Sequence, residues 1–211
     1  MKLPLLNIDG SKSSTIEISD KLINVKVNYK LIKSVIDWQL NHAKPRTAKT
    51  KQRNQIKGST KKIIAQKGSG GARHASKKAP IFVGGGVAHG PKGSVYKIKK
   101  INKKVRKQAL VQTLSKKNSD KNLHILVDVK KEIKKTKEFN YFLEKNKLSN
   151  ALIITDNDSL KNINKSARNI KNVKLIKDDG ANIFDLIKYK NIIITSSSLK
   201  KIQERVLNEK N

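Results

Sequence analysis

The chain has no cysteine, which excludes disulfides, thiolate metal sites and thiol redox chemistry. It has no long hydrophobic run either. A stretch such as Ile192-Ile193-Ile194 falls far short of the roughly 20 apolar residues of a membrane-spanning helix. The N-terminal Met1-Lys2-Leu3-Pro4-Leu5-Leu6 offers neither a sustained apolar region nor a small-residue cleavage site, so no secretory signal is expected. Carboxylates are scarce: 16 Asp+Glu stand against 48 Lys+Arg, a net charge of +32 in 211 residues. So many like charges repel one another until a polyanion neutralises them, and nucleic acid is the first candidate, an anionic membrane surface the second. Since 42 of the cations are lysine, a bias an AT-rich genome would also produce, the distribution of charge says more than its sum.

That distribution is uneven. Residues 1–37 hold 6 bases and 4 acids, residues 120–211 hold 20 bases and 12 acids, and residues 38–119 hold 22 bases and no acid. Genome bias raises lysine everywhere but does not strip carboxylates from 82 consecutive residues. The same segment contains nine of the 11 glycines, from Gly58 to Gly93, and glycine permits positive φ and close backbone approach. From His42 to Ile101 there is no sustained helical or strand period. A loop of that length is abnormal in a compact domain unless it is functional or disordered, and this one has too little apolar surface to offset its own ordering entropy. It is internal, returns to a folded domain and carries a buriable cluster, Pro80-Ile81-Phe82-Val83, so a loop ordered by a partner is expected.

Either side of it the pattern is that of a folded domain. Leu3–Ile8 and Thr15–Ile18 read as strands, and Asn28 can cap a helix through about Asn41. There Leu31, Val35 and Trp38 form one stripe, which makes Trp38 a core residue rather than a stacking platform. Asn102 can cap a helix to about Lys117 with Val105, Ala109, Leu110, Thr113 and Leu114 inward. Strands at 123–127, 151–155, 173–176 and 192–195 then alternate with helices at 135–145, 159–169, 183–187 and 198–207, the last capped by Ser197 or Ser198. Short apolar strands between helices imply a parallel sheet covered on both faces. The expected fold is a Rossmann-like three-layer α/β domain with a mostly parallel sheet and a long extended basic loop insertion. The globular domain would comprise 1–41 and 102–211, and the loop 42–101.

Enzyme chemistry finds no footing. Gly68-Ser69-Gly70-Gly71-Ala72-Arg73 begins like a dinucleotide-binding turn but ends in arginine and does not join a strand to a helix. Gly85-Gly86-Val87-Ala88-His89-Gly90-Pro91-Lys92-Gly93-Ser94 has Pro91 where a P-loop needs lysine. His42, His74, His89 and His124 lack metal-ligand spacing, and no serine sits in a nucleophile elbow. Asp128, Asp156 and Asp158 fall at strand ends, where α/β enzymes often place carboxylates, but Asp156-Asn157-Asp158 is more simply a turn and N-cap. No catalytic residue, metal or cofactor is expected.

The loop residues Lys61-Lys62-Ile63-Ile64-Ala65-Gln66-Lys67-Gly68-Ser69-Gly70-Gly71-Ala72-Arg73 and Lys78-Ala79-Pro80-Ile81-Phe82-Val83-Gly84-Gly85-Gly86-Val87 resemble the signature of the bacterial large-subunit ribosomal protein four family. Ile101 to Leu110 is similar to the start of that family's next helix. Ile63-Ile64 stands where the family has an aromatic pair, and Gly71 where it has a further arginine, so the tip is less aromatic and less arginine-rich. The resemblance implies a non-enzymatic constituent of the large ribosomal subunit that binds ribosomal RNA directly, joins early in assembly and acts in the cytoplasm within the ribosome. Its partners would be large-subunit rRNA, neighbouring large-subunit proteins and the nascent peptide, with no membrane and no homo-oligomer. Gln66, Lys67, Gly68, Ser69 and Gly70 would form a tip at the peptide exit tunnel. Lys44, Arg46, Lys49, Lys51, Arg53, Lys57, Lys61, Lys62, Lys67, Arg73, Lys77, Lys78, Lys92 and Lys97 are the candidate rRNA contacts. A nucleic-acid-binding regulator or architectural protein outside the ribosome would explain the charge equally well. It explains an acid-free insertion in an α/β domain less well, since DNA-binding modules present a recognition helix or ribbon.

Overall fold

A computed structural model describes residues 1–8, 12–44, 46–93 and 100–207. The chain forms two compact units, Met1–Leu40 with Lys100–Asn211, and Asn41–Lys99.

In the first, β1 (Lys2–Leu6) pairs antiparallel with β2 (Lys12–Glu17), with a register shift between Pro4 and Leu6. A four-residue helix, α1 (Asp20–Ile23), and α2 (Tyr29–Ala43) follow. After the second unit come α3 (Lys103–Ser119), β3 (Leu123–Leu126), α4 (Thr136–Lys145), β4 (Ala151–Thr155) and α5 (Asn157–Ala167). The chain ends with β5 (Val173–Lys177), α6 (Ile183–Lys188), β6 (Asn191–Thr195) and α7 (Ser196–Leu207). Among the described residues the strands form one six-stranded sheet in the order β2-β1-β3-β6-β4-β5, parallel throughout except at β1–β2.

The central strands explain the layering. Every residue of β4 and β6 is buried, so alternate side chains must be covered on both faces. Leu152, Ile154, Ile192 and Ile194 join a core with Leu22, Val35, Leu114, Leu186 and Leu199 of α1, α2, α3, α6 and α7. Ile153 and Ile193 join the opposite core with Phe139 and Phe142 of α4 and Ile163 of α5. This is the three-layer, mostly parallel α/β fold read from the sequence.

Capping departs from expectation in instructive ways. Asn28 does cap α2, its Oδ1 accepting from the N–H groups of Lys30 at 3.1 Å and Leu31 at 3.4 Å. Asn102 occupies the N-cap of α3 and Asp156 that of α5, but neither side chain makes a cap hydrogen bond. Helix α7 begins at Ser196, earlier than its serines suggested, and its cap comes from 68 residues away. The Asp128 carboxylate accepts from the Ser197 N–H at 3.0 Å and from the Ser196 hydroxyl at 2.8 Å, and the Ser197 hydroxyl donates to it as well. Burial would raise the Asp128 pKa, but these donors and Lys200 outweigh it and hold the carboxyl below its usual range. A carboxylate whose pKa is depressed by folding contributes stability at pH above its unfolded value of about 3.9, and that contribution is lost as pH falls through the folded value. Asp128→Ala is expected to lower the unfolding free energy at neutral pH by about 1–2 kcal/mol. In denaturant titrations the difference from the parent should shrink towards pH 3, and an unchanged midpoint at pH 7 would contradict the assignment.

Candidate nucleic-acid interface

The second unit is built almost without a core: among its described residues none with an apolar side chain is buried, and Ser76, at 7% exposure, is its one buried residue other than glycine. Backbone bonds hold it instead. Gly93 N–H donates to Ala48 O at 2.8 Å, Thr50 N–H to Pro91 O at 2.9 Å and Val87 N–H to Lys51 O at 2.9 Å, around a Lys49–Lys92 antiparallel bridge. Outgoing residues 48–51 therefore lie beside returning residues 87–93. Farther out, Ile63 N–H donates to Ala75 O at 3.2 Å. On the return, tight turns succeed one another: Ala79 N–H to Ser76 O, Phe82 N–H to Ala79 O and Gly85 N–H to Phe82 O. Arg53–Gln55 forms a single 3-10 turn.

Two glycines are required by close approach. A Cβ at Gly85 would stand 2.0 Å from Ala79 O, and one at Gly86 would stand 2.3 Å from Arg53 N. Both obstacles are backbone, so no side-chain rotation relieves them. At the tip the requirement is conformational: Gly68 has φ +85° and Gly70 φ +63°, a region L side chains rarely adopt.

Gln66, Lys67, Gly68, Ser69 and Gly70 are all exposed, beyond the Ile63–Ala75 bond, and Lys62 Nζ donates to Gln66 Oε1. Lys44, Arg46, Lys49, Lys51, Arg53, Lys57, Lys61, Lys62, Lys67, Arg73, Lys77 and Lys92 are exposed and Lys78 is half-buried; Lys97 lies outside the described residues. No ion pair among the described residues involves any of these cations. The cluster expected to be buriable is only partly covered. Phe82 meets His74 edge to face at 5.0 Å, while Ile81 and Val83 are 71% and 102% exposed. The loop-centred reading passed over Lys103, Lys104 and Arg106 on the first turns of α3, although they belong to the same acid-free run.

The tip glycines lie in an exposed turn, and the returning glycines lead to no helix within the described residues, Ser94 being outside them. No group of three or more His, Asp or Glu among the described residues could hold a metal ion. Asp128 is engaged by α7. No described helix is long and apolar enough to cross a membrane.

A family model described as the ribosomal protein L4/L1 family matches residues 16–205. The chain belongs to that family. The large ribosomal subunit protein uL4 of Pelagibacter ubique is 50% identical over 206 residues, covering 97% of this chain and 99% of that one. The uL4 protein of Geotalea daltonii is 40% identical over 202 residues, with 96% and 97% covered. That of Thermotoga petrophila is 37% identical, with 99% and 96% covered. The family match spans both units, so the basic, glycine-rich segment is part of the family's sequence and not an appendage of this chain.

Proposed function

We propose that this chain is a structural constituent of the large ribosomal subunit, a non-enzymatic protein of the cytoplasmic ribosome anchored through its second unit in ribosomal RNA. The observation that carries the reading is a unit of about 60 residues with exposed cations, no carboxylate and, among its described residues, no buried apolar side chain. Such a segment gains its stability from what surrounds it. Each lysine or arginine that meets a phosphate releases condensed counterions. Gly85 and Gly86 let the backbone fold where a side chain would collide, and exposed N–H groups can donate to phosphate oxygens. A carboxylate on this path would be desolvated against negative charge, which accounts for the absence of acids from 38 to 119.

In this reading the loop cations from Lys44 to Lys97 neutralise rRNA phosphates, and specificity comes from the shape of the RNA. The tip Gln66–Gly70 reaches the peptide exit tunnel and meets the nascent chain. Residues 1–41 and 102–211 form the globular part, which meets rRNA and neighbouring large-subunit proteins, and the protein joins early because its binding site is RNA.

Binding of the purified full chain to large-subunit rRNA, followed by filter retention across a salt series, tests this. With at least six phosphate contacts, affinity is expected to fall by roughly 10³-fold or more between 50 and 200 mM monovalent salt. Affinity that barely responds to salt, or no affinity at all, would overturn it.

A further inference from the structure

Outside the loop, α2, α3 and the segments around α6 and α7 line an open cavity of about 310 Å³ in the first unit. Its lining combines apolar and cationic groups. Trp38 and Leu110 give it apolar walls, while Lys103, Arg106, Lys107 and Arg205 all line it and no carboxylate does. The Arg106 guanidinium lies over the Trp38 ring, 5.1 Å from its centroid. Its Nε is buried and has no hydrogen-bond partner among the described residues, an arrangement that costs free energy. Helix α3 begins here with no acid in its first turn and no side-chain cap; Lys103 and Lys104 stand there instead, where the helix dipole disfavours positive charge. A site that combines an aromatic–guanidinium stack, an unsatisfied donor and cations against the helix dipole is complementary to a flat, acceptor-rich group carrying a phosphate.

The geometry points to a second nucleic-acid site, in which one unpaired ribonucleotide base enters this cavity beside the Trp38–Arg106 stack and its phosphate meets Lys103 and Lys107. Unstacked RNA bases are held in this manner on aromatic and arginine planes. The Arg106 guanidinium donates to the base edge. Gln39 Oε1 already accepts from the Phe184 N–H at 3.0 Å, so Gln39 has its amide N–H₂ to offer and favours a base with acceptors. The site rests on the reading of the chain as an RNA-bound protein but uses none of the loop residues.

Trp38 is the sole tryptophan, so tryptophan emission, excited selectively over the four tyrosines, reports this cavity alone. The full chain is titrated with a short 5′-labelled oligoadenylate, with inorganic polyphosphate of equal charge and with polyglutamate, while label anisotropy reports binding anywhere on the chain. Oligoadenylate is expected to quench Trp38 saturably and polyphosphate to leave it unchanged. Arg106→Met and the exposed Lys103→Gln should each weaken the quenching, the former roughly tenfold or more. A rise in anisotropy with constant Trp38 emission would overturn the cavity site and leave the loop reading standing. Absence of both signals would contradict both. Quenching by polyglutamate and not by oligoadenylate would overturn the proposal in favour of an acidic peptide.

Discussion

Replacing Lys61–Lys78 by a short Gly-Ser linker is expected to leave the globular unit folded and to cripple incorporation into the large subunit. The two halves of this result have separate causes. The buried apolar residues run from Leu6 to Val35 and from Ala109 to Ile202, with none among the described residues between, so the unfolding free energy of the first unit should change by less than about 0.5 kcal/mol. The deletion removes Lys61, Lys62, Lys67, Arg73, Lys77 and Lys78, together with the exposed tip. If each of these meets a phosphate, the slope of log affinity for rRNA against log salt becomes shallower by roughly four to six. Chemical denaturation and salt-dependent filter binding measure the two effects independently. Normal subunit yield and normal translation from the deleted protein would sink the loop's role.

The second large effect needs only one side chain. Gly86→Val places a Cβ 2.3 Å from Arg53 N and 2.7 Å from Arg53 Cα. The new side chain therefore pushes the returning segment off the outgoing one, at a strain of about 1–3 kcal/mol. The Val87 N–H to Lys51 O bond lies immediately beside it and is lost first. Affinity for rRNA is expected to drop on the order of tenfold to a hundredfold, with the melting of the globular unit unchanged. Gly58→Ala is the control, since its Cβ would meet only Lys78 side-chain carbons, the nearest at 3.6 Å. Equal affinity for the two variants would show that the loop takes a different path when bound to RNA.

The parts of the fold that were legible in the sequence are those whose periodicity is enforced by burial. The strands β4 and β6 are five residues of unbroken burial, which only a sheet covered on both faces demands. The boundaries of the acid-free run were equally plain, because the absence of carboxylates is a property of composition and needs no geometry. What escaped was set by tertiary partners. The four-residue helix α1 is too short to carry a period. Helix α3 is buried beyond its apolar stripe because its polar groups bind the preceding chain: Gln112 Oε1 accepts from the Asn28 N–H at 3.0 Å, and Ser115 Oγ from the Val25 N–H at 3.2 Å. The cap of α7 could not be found locally, since three strands, β4, β5 and β6, intervene in sequence between Asp128 and Ser196. Trp38 fell on the expected core stripe but is only half-buried. Its outer partner, Arg106, is separated from it by the whole loop, so the cavity between them had no signature in the linear pattern.

The most direct test of the central claim is sedimentation of lysate carrying a tagged copy of the full chain on a sucrose gradient washed in high salt. A protein threaded through folded rRNA stays with the large subunit and whole ribosomes through the wash, because salt weakens its phosphate contacts without opening the RNA around it. A protein that runs free, or leaves the particles as salt rises, uses its charge at an exposed nucleic-acid surface, and that result would contradict its placement as an integral constituent of the subunit.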